Sequence, residues 1–148
     1  MKHIQALSIA LQDFIDRISS IEGRTSRKNF LWVYAFLTVL IGTPITFLFP
    51  QYASYYGVVS QLLMVSLYIR RFQDSDRSKW APLTCSVLTV TINFLNASGN
   101  MNIAAGIGSY MWIYVALAIY VFVICCMPGS EGENDYGMPN ELPTPQEA

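Results

Sequence analysis

Residues 70–80, RRFQDSDRSKW, carry every charged side chain that lies between Asn29 and Glu131. Residues 30–69 upstream contain no Asp, Glu, Lys or Arg, and neither do residues 81–130 downstream. A charge at the centre of a bilayer costs about 2.5–3.5 kcal/mol on insertion scales. Two long uncharged runs flanking one charged loop therefore predict an integral membrane protein.

The lengths of these runs predict four transmembrane helices in an all-α fold. One span needs about 20 residues, and the two runs have 40 and 50 residues. Each run therefore fits a helical hairpin, and the low charged content of 13% agrees with a membrane domain. The predicted spans are residues 30–49, 55–69, 79–95 and 103–127. Residues 128–148 form a cytosolic tail with an ordered start and a disordered end.

Basic residues predict the orientation. All nine lie before the first run or in the central loop. Short loops rich in Lys and Arg stay on the cytoplasmic side, so the N-terminus and the loop are both expected there. Counting four helices places the C-terminus on the same side. A net charge of -1 does not favour a nucleic-acid partner.

Residues 1–23 have apolar side chains at helical spacing and predict an amphipathic helix that ends at Gly23. This helix either lies in the cytoplasmic interface or docks on the protein's own cytosolic face. Thr25 or Ser26 is expected to cap the next helix. Pro44 is expected to kink the first span because it lacks a backbone donor. The apolar positions of the first helix are Ile4, Leu7, Leu11, Phe14, Ile18 and Ile21.

The central loop holds the most suggestive polar cluster. If the second span continues by one turn, Arg70 and Asp74 are four residues apart and can pair. Arg77 can reach the same carboxylate, and Trp80 offers a neighbouring cation an aromatic face. One interpretation is a structural network that joins spans two and three. The other is a basic, aromatic-edged pocket for a phosphate-bearing headgroup or an anionic partner peptide.

The sequence gives little support for catalytic or metal-dependent chemistry. His3 is the single histidine, which argues against a catalytic triad, and no phosphate-binding loop or zinc-protease motif occurs. Two carboxylates at Asp74 and Asp76 give too few oxygens for a divalent cation. We therefore expect no cofactor, no metal and no enzymatic activity. The hydroxyl-bearing side chains in the spans are compatible with a polar path for transport, although such groups more often form hydrogen bonds between helices.

Three segments, in this order, resemble the motifs of the domain of unknown function 805, a family of small bacterial inner-membrane proteins. They are residues 23–32 (GRTSRKNFLW), 70–80 (RRFQDSDRSKW) and 128–137 (PGSEGENDYG). The chain departs from the family pattern at Asp76, where glycine is usual, and at Leu31 and Lys79. The resemblance implies a multi-pass protein of about four spans in the bacterial cytoplasmic membrane and implies no established activity.

With the orientation predicted from charge, all three segments lie on the cytoplasmic face. The glycine-rich tail is expected to fold back over the central loop, where Glu131, Glu133 and Asp135 supply complementary charge. We predict a non-enzymatic interaction or scaffold protein that binds anionic lipid headgroups or a partner protein, with homo-oligomerisation also possible. The alternative is a small transporter or pore subunit that acts as an oligomer. The candidate binding residues are Arg24, Arg27, Arg70, Arg71, Asp74, Arg77, Trp80, Asn134 and Tyr136.

Overall fold

The computed structural model describes residues 2–99 and 111–138, and these residues form helices with no named strand. The all-α class predicted from the sequence is therefore confirmed for the described part of the chain. The α-helices are α1 (Lys2–Asp16), α2 (Arg27–Ala35), α3 (Thr43–Leu48), α4 (Ala53–Asp74), α5 (Trp80–Ala97) and α6 (Met111–Cys126). The first eight residues of the predicted fourth span, 103–110, and the tail beyond residue 138 lie outside the described residues.

A π-helical segment, Phe36–Gly42, joins α2 and α3 into one continuous helical stretch. Pro44 cannot donate a backbone hydrogen bond, and the chain accommodates it by a shift in register. Thr43 donates its N–H to Thr38 O, five residues back. A π-helical insertion therefore precedes Pro44, and the kink expected at this residue stays a prediction. Gly42 lets α4 approach here, because an added Cβ would lie 3.0 Å from a ring carbon of Tyr56.

The start of α2 settles which residue caps it. Ser26 has an extended backbone, and its side chain accepts a hydrogen bond from the Asn29 N–H. This contact satisfies one of the amides that lack a partner inside the helix. Of the two candidate capping residues, Ser26 is the one that caps, while Thr25 is fully buried.

The first helix is shorter than expected. α1 ends at Asp16, and the chain continues through turns in which Ser20 bonds to the Glu22 carbonyl. Serine side chains compete with the helical backbone in this way. Gly23 has a φ of 92° but lies beyond this irregular stretch, so the prediction that it ends the helix was wrong.

α1 packs on α2 and still exposes apolar side chains. Ala10 and Phe14 belong to the core cluster that also contains Phe30 and Val33 of α2. Ile4 and Ile15 lie outside that contact and are exposed. The helix thus docks on the protein and also presents an apolar surface outward.

Aromatic side chains connect α2, α4 and α6. Phe30 contacts Tyr34 and Tyr68, with ring centroids 5.7 Å apart in each pair. Tyr34 lies 5.3 Å from Phe122 of α6. Such ring pairs stabilise by about 0.5–1.5 kcal/mol beyond their burial. These ring contacts bring α2, α4 and α6 together near the C-terminal end of α4.

The stretch Arg27–Leu48 has the length and composition of a membrane-crossing helix, and Met111–Cys126 is a shorter apolar helix. Only 11% of the most apolar window of Arg27–Leu48 is buried inside the protein, whereas a core helix of a water-soluble protein is mostly buried. Large apolar side chains are exposed on this stretch and also on α4, α5 and α6. Exposed examples are Val39, Leu40, Phe47, Leu62, Phe94, Trp112 and Ile113.

Candidate functional site

A buried ion cluster lies where α4 ends. Asp74 is bound by two arginines from different parts of the chain: Arg24 Nε lies 2.9 Å from Asp74 Oδ1, and Arg71 Nη1 contacts Asp74 Oδ2. The side chains of Arg24, Arg71 and Asp74 are 1%, 0% and 8% exposed. Charge-assisted hydrogen bonds are strong, and burial makes each partner depend on the others.

Arg24 uses its whole guanidinium to hold the C-terminal segment in place. Nη1 donates to the carbonyls of Gly132 at 2.6 Å and Gly137 at 3.1 Å. Nη2 donates to Ser130 O at 2.6 Å and to Asp74 O at 3.4 Å. Together with the Asp74 carboxylate, these acceptors match the five N–H donors of an arginine. Arg24 is therefore the residue that joins residues 23–26, the end of α4 and the tail.

Arg71 does the same for the end of α6. Its Nε donates to Cys125 O at 2.9 Å, and its Nη2 donates to Met127 O. These carbonyls lie at a helix C-terminus, where backbone acceptors lack partners and the dipole favours a cation. Burial lowers the pKa of Arg71, and the nearby Asp74 carboxylate partly offsets the shift. The side chain remains a cation because arginine does not lose its proton in proteins.

The tail segment caps the C-terminus of α4. Ser130 N donates to Asp74 O at 2.8 Å, and Asn134 Nδ2 donates to Gln73 O at 2.9 Å. Asn134 also bonds Ser130 Oγ at 2.9 Å and accepts the Tyr136 N–H through its own Oδ1 at 2.9 Å. The predicted fold-back of the tail over the central loop is thus present.

Gly129 allows the tail to approach the ion cluster. A Cβ at this position would collide with the Asp74 carboxylate. The φ of Gly129 is not in the left-handed region. The requirement for glycine here therefore comes from the close approach of Asp74 and not from the backbone conformation. Gly132 and Gly137 are needed for a different reason. Their φ values of 88° and 105° lie in the left-handed region, which residues with an L side chain rarely adopt.

Two predicted ion pairs were wrong. Asp74 pairs with Arg71, three residues earlier, rather than with Arg70. Arg77 does not reach Asp74: it is exposed, and its Nη1 lies 3.5 Å from the Tyr120 hydroxyl. Helical geometry alone allows either pair, because Arg70 (i, i+4) and Arg71 (i, i+3) are both within reach of Asp74. Arg71 faces the tail and α6, while Arg70 is buried at 0% exposure and lies within electrostatic range of Asp13 in α1.

The acidic residues of the tail also differ from expectation. Glu131, Glu133 and Asp135 are exposed, and none of them forms an ion pair within residues 2–99 and 111–138. Backbone carbonyls accept hydrogen bonds from Arg24 and Arg71 instead. Carbonyl groups leave no trace in residue type, which is why the sequence did not point to Cys125, Met127 or Gly132 as binding partners of arginine.

The remaining candidate residues face outward. Trp80 is 67% exposed, and Tyr136 is also exposed. The candidate set therefore divides into a buried part (Arg24, Arg70, Arg71, Asp74 and, at its margin, Asn134) and an outer part. We call the outer basic side chains with their neighbouring aromatic the exposed basic set: Arg27, Lys28, Arg77, Lys79 and Trp80.

A cavity of about 200 Å³ lies between the helices, away from the ion cluster. Its polar lining includes Gln61, which donates to Ser86 Oγ at 2.8 Å, and the hydroxyls of Thr89 and Tyr114, which lie 3.1 Å apart. Four helices (α2, α4, α5 and α6) contribute to the walls. No group of three or more metal-binding side chains occurs in the described part of the chain.

The fold and the cluster together define a small helical protein whose N-terminal segment, central loop and tail are bonded into one polar unit. The family model for proteins of unknown function, DUF805, matches residues 18–138. The chain therefore belongs to the DUF805 family. No curated protein and no solved structure matches it.

Proposed function

We propose that the chain crosses the bacterial cytoplasmic membrane four times, as two helical hairpins with both termini in the cytoplasm. The uncharged part of α4, residues 53–69, has 17 residues and α5 has 18, which is about 26 and 27 Å at 1.5 Å per residue. The hydrocarbon core is about 30 Å thick. Apolar side chains exposed on α3, α4, α5 and α6 also favour a lipid surrounding.

On this membrane placement, the protein acts as a non-enzymatic interaction or scaffold protein that binds anionic phospholipid headgroups through the exposed basic set. This proposal rests on the division of the basic residues into a buried group and an exposed group. Arg24 and Arg71 are consumed by internal bonds, whereas Arg27, Lys28 and Lys79 are exposed. Basic residues near an anionic leaflet stabilise association by about 1 kcal/mol each.

Charge reversal in the central loop tests this function. Arg77→Glu changes two charge units and should reduce the enrichment of phosphatidylglycerol around the purified protein by about 30-fold, from about 2 kcal/mol. Lipids retained after gentle solubilisation are quantified by mass spectrometry against total membrane lipid. Asp76→Lys, in the same loop and of opposite sign, should increase the enrichment.

Insertion and yield provide the control. If Arg77→Glu inserts normally but loses a co-purifying protein instead of lipid, the exposed basic set docks a protein. If only the yield falls, this part of the loop is structural and the proposal is wrong. An unchanged lipid composition in both variants would also contradict it.

The interhelical cavity favours a second candidate, a small transporter or pore subunit. Its wall brings Gln61, Ser86, Thr89 and Tyr114 together inside the proposed membrane domain, where polar groups are expensive unless they serve packing or passage. Flux of small polar solutes into reconstituted vesicles tests it. Gln61→Leu should reduce that flux. Gln51→Leu, in the turn between α3 and α4 at the outer side of the proposed membrane domain, should leave the flux unchanged.

A further inference from the structure

Arg70 differs from the two arginines of the ion cluster because its guanidinium forms no hydrogen bond and no ion pair with the residues that the structure describes. Its side chain is fully buried at 0% exposure. Nε, Nη1 and Nη2 all lack a hydrogen-bond partner among the described residues. A buried charged group without a partner costs several kcal/mol. Buried donors are nearly always satisfied in folded proteins, so this position requires an acceptor.

The neighbouring acid does not balance Arg70. Asp13 of α1 lies within electrostatic range, but its carboxylate is already 3.2 Å from Arg17 Nε. Burial lowers the pKa of Arg70, Asp13 raises it and Arg17 lowers it. Arg70, Arg17 and Asp13 together therefore leave one positive charge at the contact between α1 and the end of α4. A group with one negative charge would neutralise it.

Further unsatisfied donors lie at the same helix contact. The N–H of Thr25 donates to Arg70 O at 3.4 Å, which places the start of the α2 segment against this turn of α4. Thr25 Oγ1 and Asn29 Nδ2 are both buried without a partner in residues 2–99 and 111–138. Thr25 immediately precedes the cap residue Ser26, and Asn29 lies in the first turn of α2. A guanidinium, a hydroxyl and an amide N–H are together suited to an oxyanion.

The structure assigns to Arg70, Thr25 and Asn29 a binding site for a phosphate oxyanion, located between α1, the start of α2 and the end of α4. Gln73, one turn after Arg70, leaves its Oε1 buried without a described partner. This acceptor suits a ligand that also carries a hydroxyl. Phosphatidylglycerol headgroups and dihydrogen phosphate both combine one negative charge with a hydroxyl.

This inference rests on the proposed membrane placement for the lipid source, because the end of α4 then lies at headgroup depth. The proposed Arg70 site differs from the exposed basic set in how it binds phosphate groups. Arg77 and its neighbours attract many headgroups weakly, and salt screens that attraction. Arg70 would bind one phosphate group per chain, and burial would protect that contact from screening.

The test compares Arg70→Gln with Lys2→Gln, which removes one positive charge at the start of α1, at a residue of neither the proposed site nor the exposed basic set. In the first arm, lipid-stripped protein in detergent is titrated with inorganic phosphate, with sodium chloride at matched ionic strength, while thermal unfolding is followed. In the second arm, protein from nanodiscs of phosphatidylcholine with or without phosphatidylglycerol is examined by native mass spectrometry. Both arms use the full chain.

Wild type and Lys2→Gln should retain one phosphate ligand, and Arg70→Gln should bind it about tenfold or more weakly, as for loss of a charged hydrogen-bonding partner. Saturation by inorganic phosphate alone identifies a small anion, and retention of phosphatidylglycerol alone identifies a lipid. In stripped protein without phosphate, Arg70→Gln should unfold at the same or a higher temperature than wild type, because it removes an unpaired buried charge.

Equal binding by wild type and Arg70→Gln in both arms would overturn the site. So would destabilisation of stripped Arg70→Gln, because that result means a structural partner exists. If Arg70→Gln does not fold, Asn29→Ala removes one donor and should weaken binding severalfold, and unchanged binding then counts against the site. The outcome for Arg77→Glu is independent, so failure of this site and failure of the exposed basic set are distinguishable.

Discussion

Replacing Asp74 by asparagine removes the single negative charge that two buried arginines share. Asparagine has nearly the same shape, so the change isolates charge from packing. Arg24 and Arg71 would be left at 1% and 0% exposure, each facing an amide in place of a carboxylate. Breaking a buried ion pair by removing one partner costs about 3–5 kcal/mol. We expect Asp74→Asn to destabilise the folded protein by about that amount.

The measurement is thermal unfolding in mild detergent, followed by tryptophan fluorescence. For a chain of this size 1 kcal/mol corresponds to about 2–4 °C, so the midpoint should fall by about 6–20 °C. Asp76→Asn is the matched control, because Asp76 is exposed, lies two residues further on and forms no ion pair in the described structure. It should shift the midpoint by less than about 2 °C.

A double-mutant cycle with Arg24→Gln separates the pair from its surroundings. Arg24 also binds three tail carbonyls, so Arg24→Gln alone should be at least as damaging as Asp74→Asn. The two changes together should cost less than their sum, since the second removes a partner already lost. Equal midpoints for Asp74→Asn and Asp76→Asn would refute the view that the cluster holds the three segments together.

Substitutions at three positions test particular backbone contacts by the same unfolding assay. Gly129→Ala should destabilise by about 1–3 kcal/mol because the new Cβ collides with the Asp74 carboxylate. Asp76 has a φ of 53°, so Asp76→Ala should cost about 1 kcal/mol, while Asp76→Gly should change stability by less than about 0.5 kcal/mol. Gly57→Ala should destabilise by about 1–2 kcal/mol because its Cβ would lie 2.5 Å from Asn93 Oδ1. In an Asn93→Ala background it should instead stabilise by helix propensity.

The sequence predicts helices well here because long uncharged runs allow few alternatives. The helices α4 and α5 begin and end within a few residues of the expected limits, apart from the continuation of α4 to Asp74. Ser26 and Pro44 were recognised from chemistry that acts within one helical turn. The π-helical segment Phe36–Gly42 was missed, because proline signals a missing donor without specifying how neighbouring carbonyls find other partners.

Pairing within the polar cluster was harder to predict. Arg70 and Arg71 are adjacent and identical in type, and both spacings to Asp74 allow an ion pair, so contacts outside α4 decide which arginine meets it. Arg71 also binds the carbonyls of Cys125 and Met127, and apolar contacts such as Phe72 with Tyr120, whose ring centroids are 6.2 Å apart, hold this side of α4 against α6. The backbone at Asp76 is left-handed, with a φ of 53°, a conformation that glycine adopts without strain, so the structure is compatible with the glycine that the resemblance led us to expect at this position.

The three family motifs owe much of their composition to bonds with one another. Arg24 from the first motif, Asp74 from the second and the carbonyls of Ser130, Gly132 and Gly137 from the third form one hydrogen-bonded unit. A motif whose residues satisfy each other specifies a structure and leaves little capacity for a ligand. Binding chemistry is therefore to be sought where that unit leaves polar groups unsatisfied or outward-facing. Arg70 meets the first condition and the exposed basic set meets the second, so variants at these positions, rather than at Arg24 or Asp74, separate function from folding.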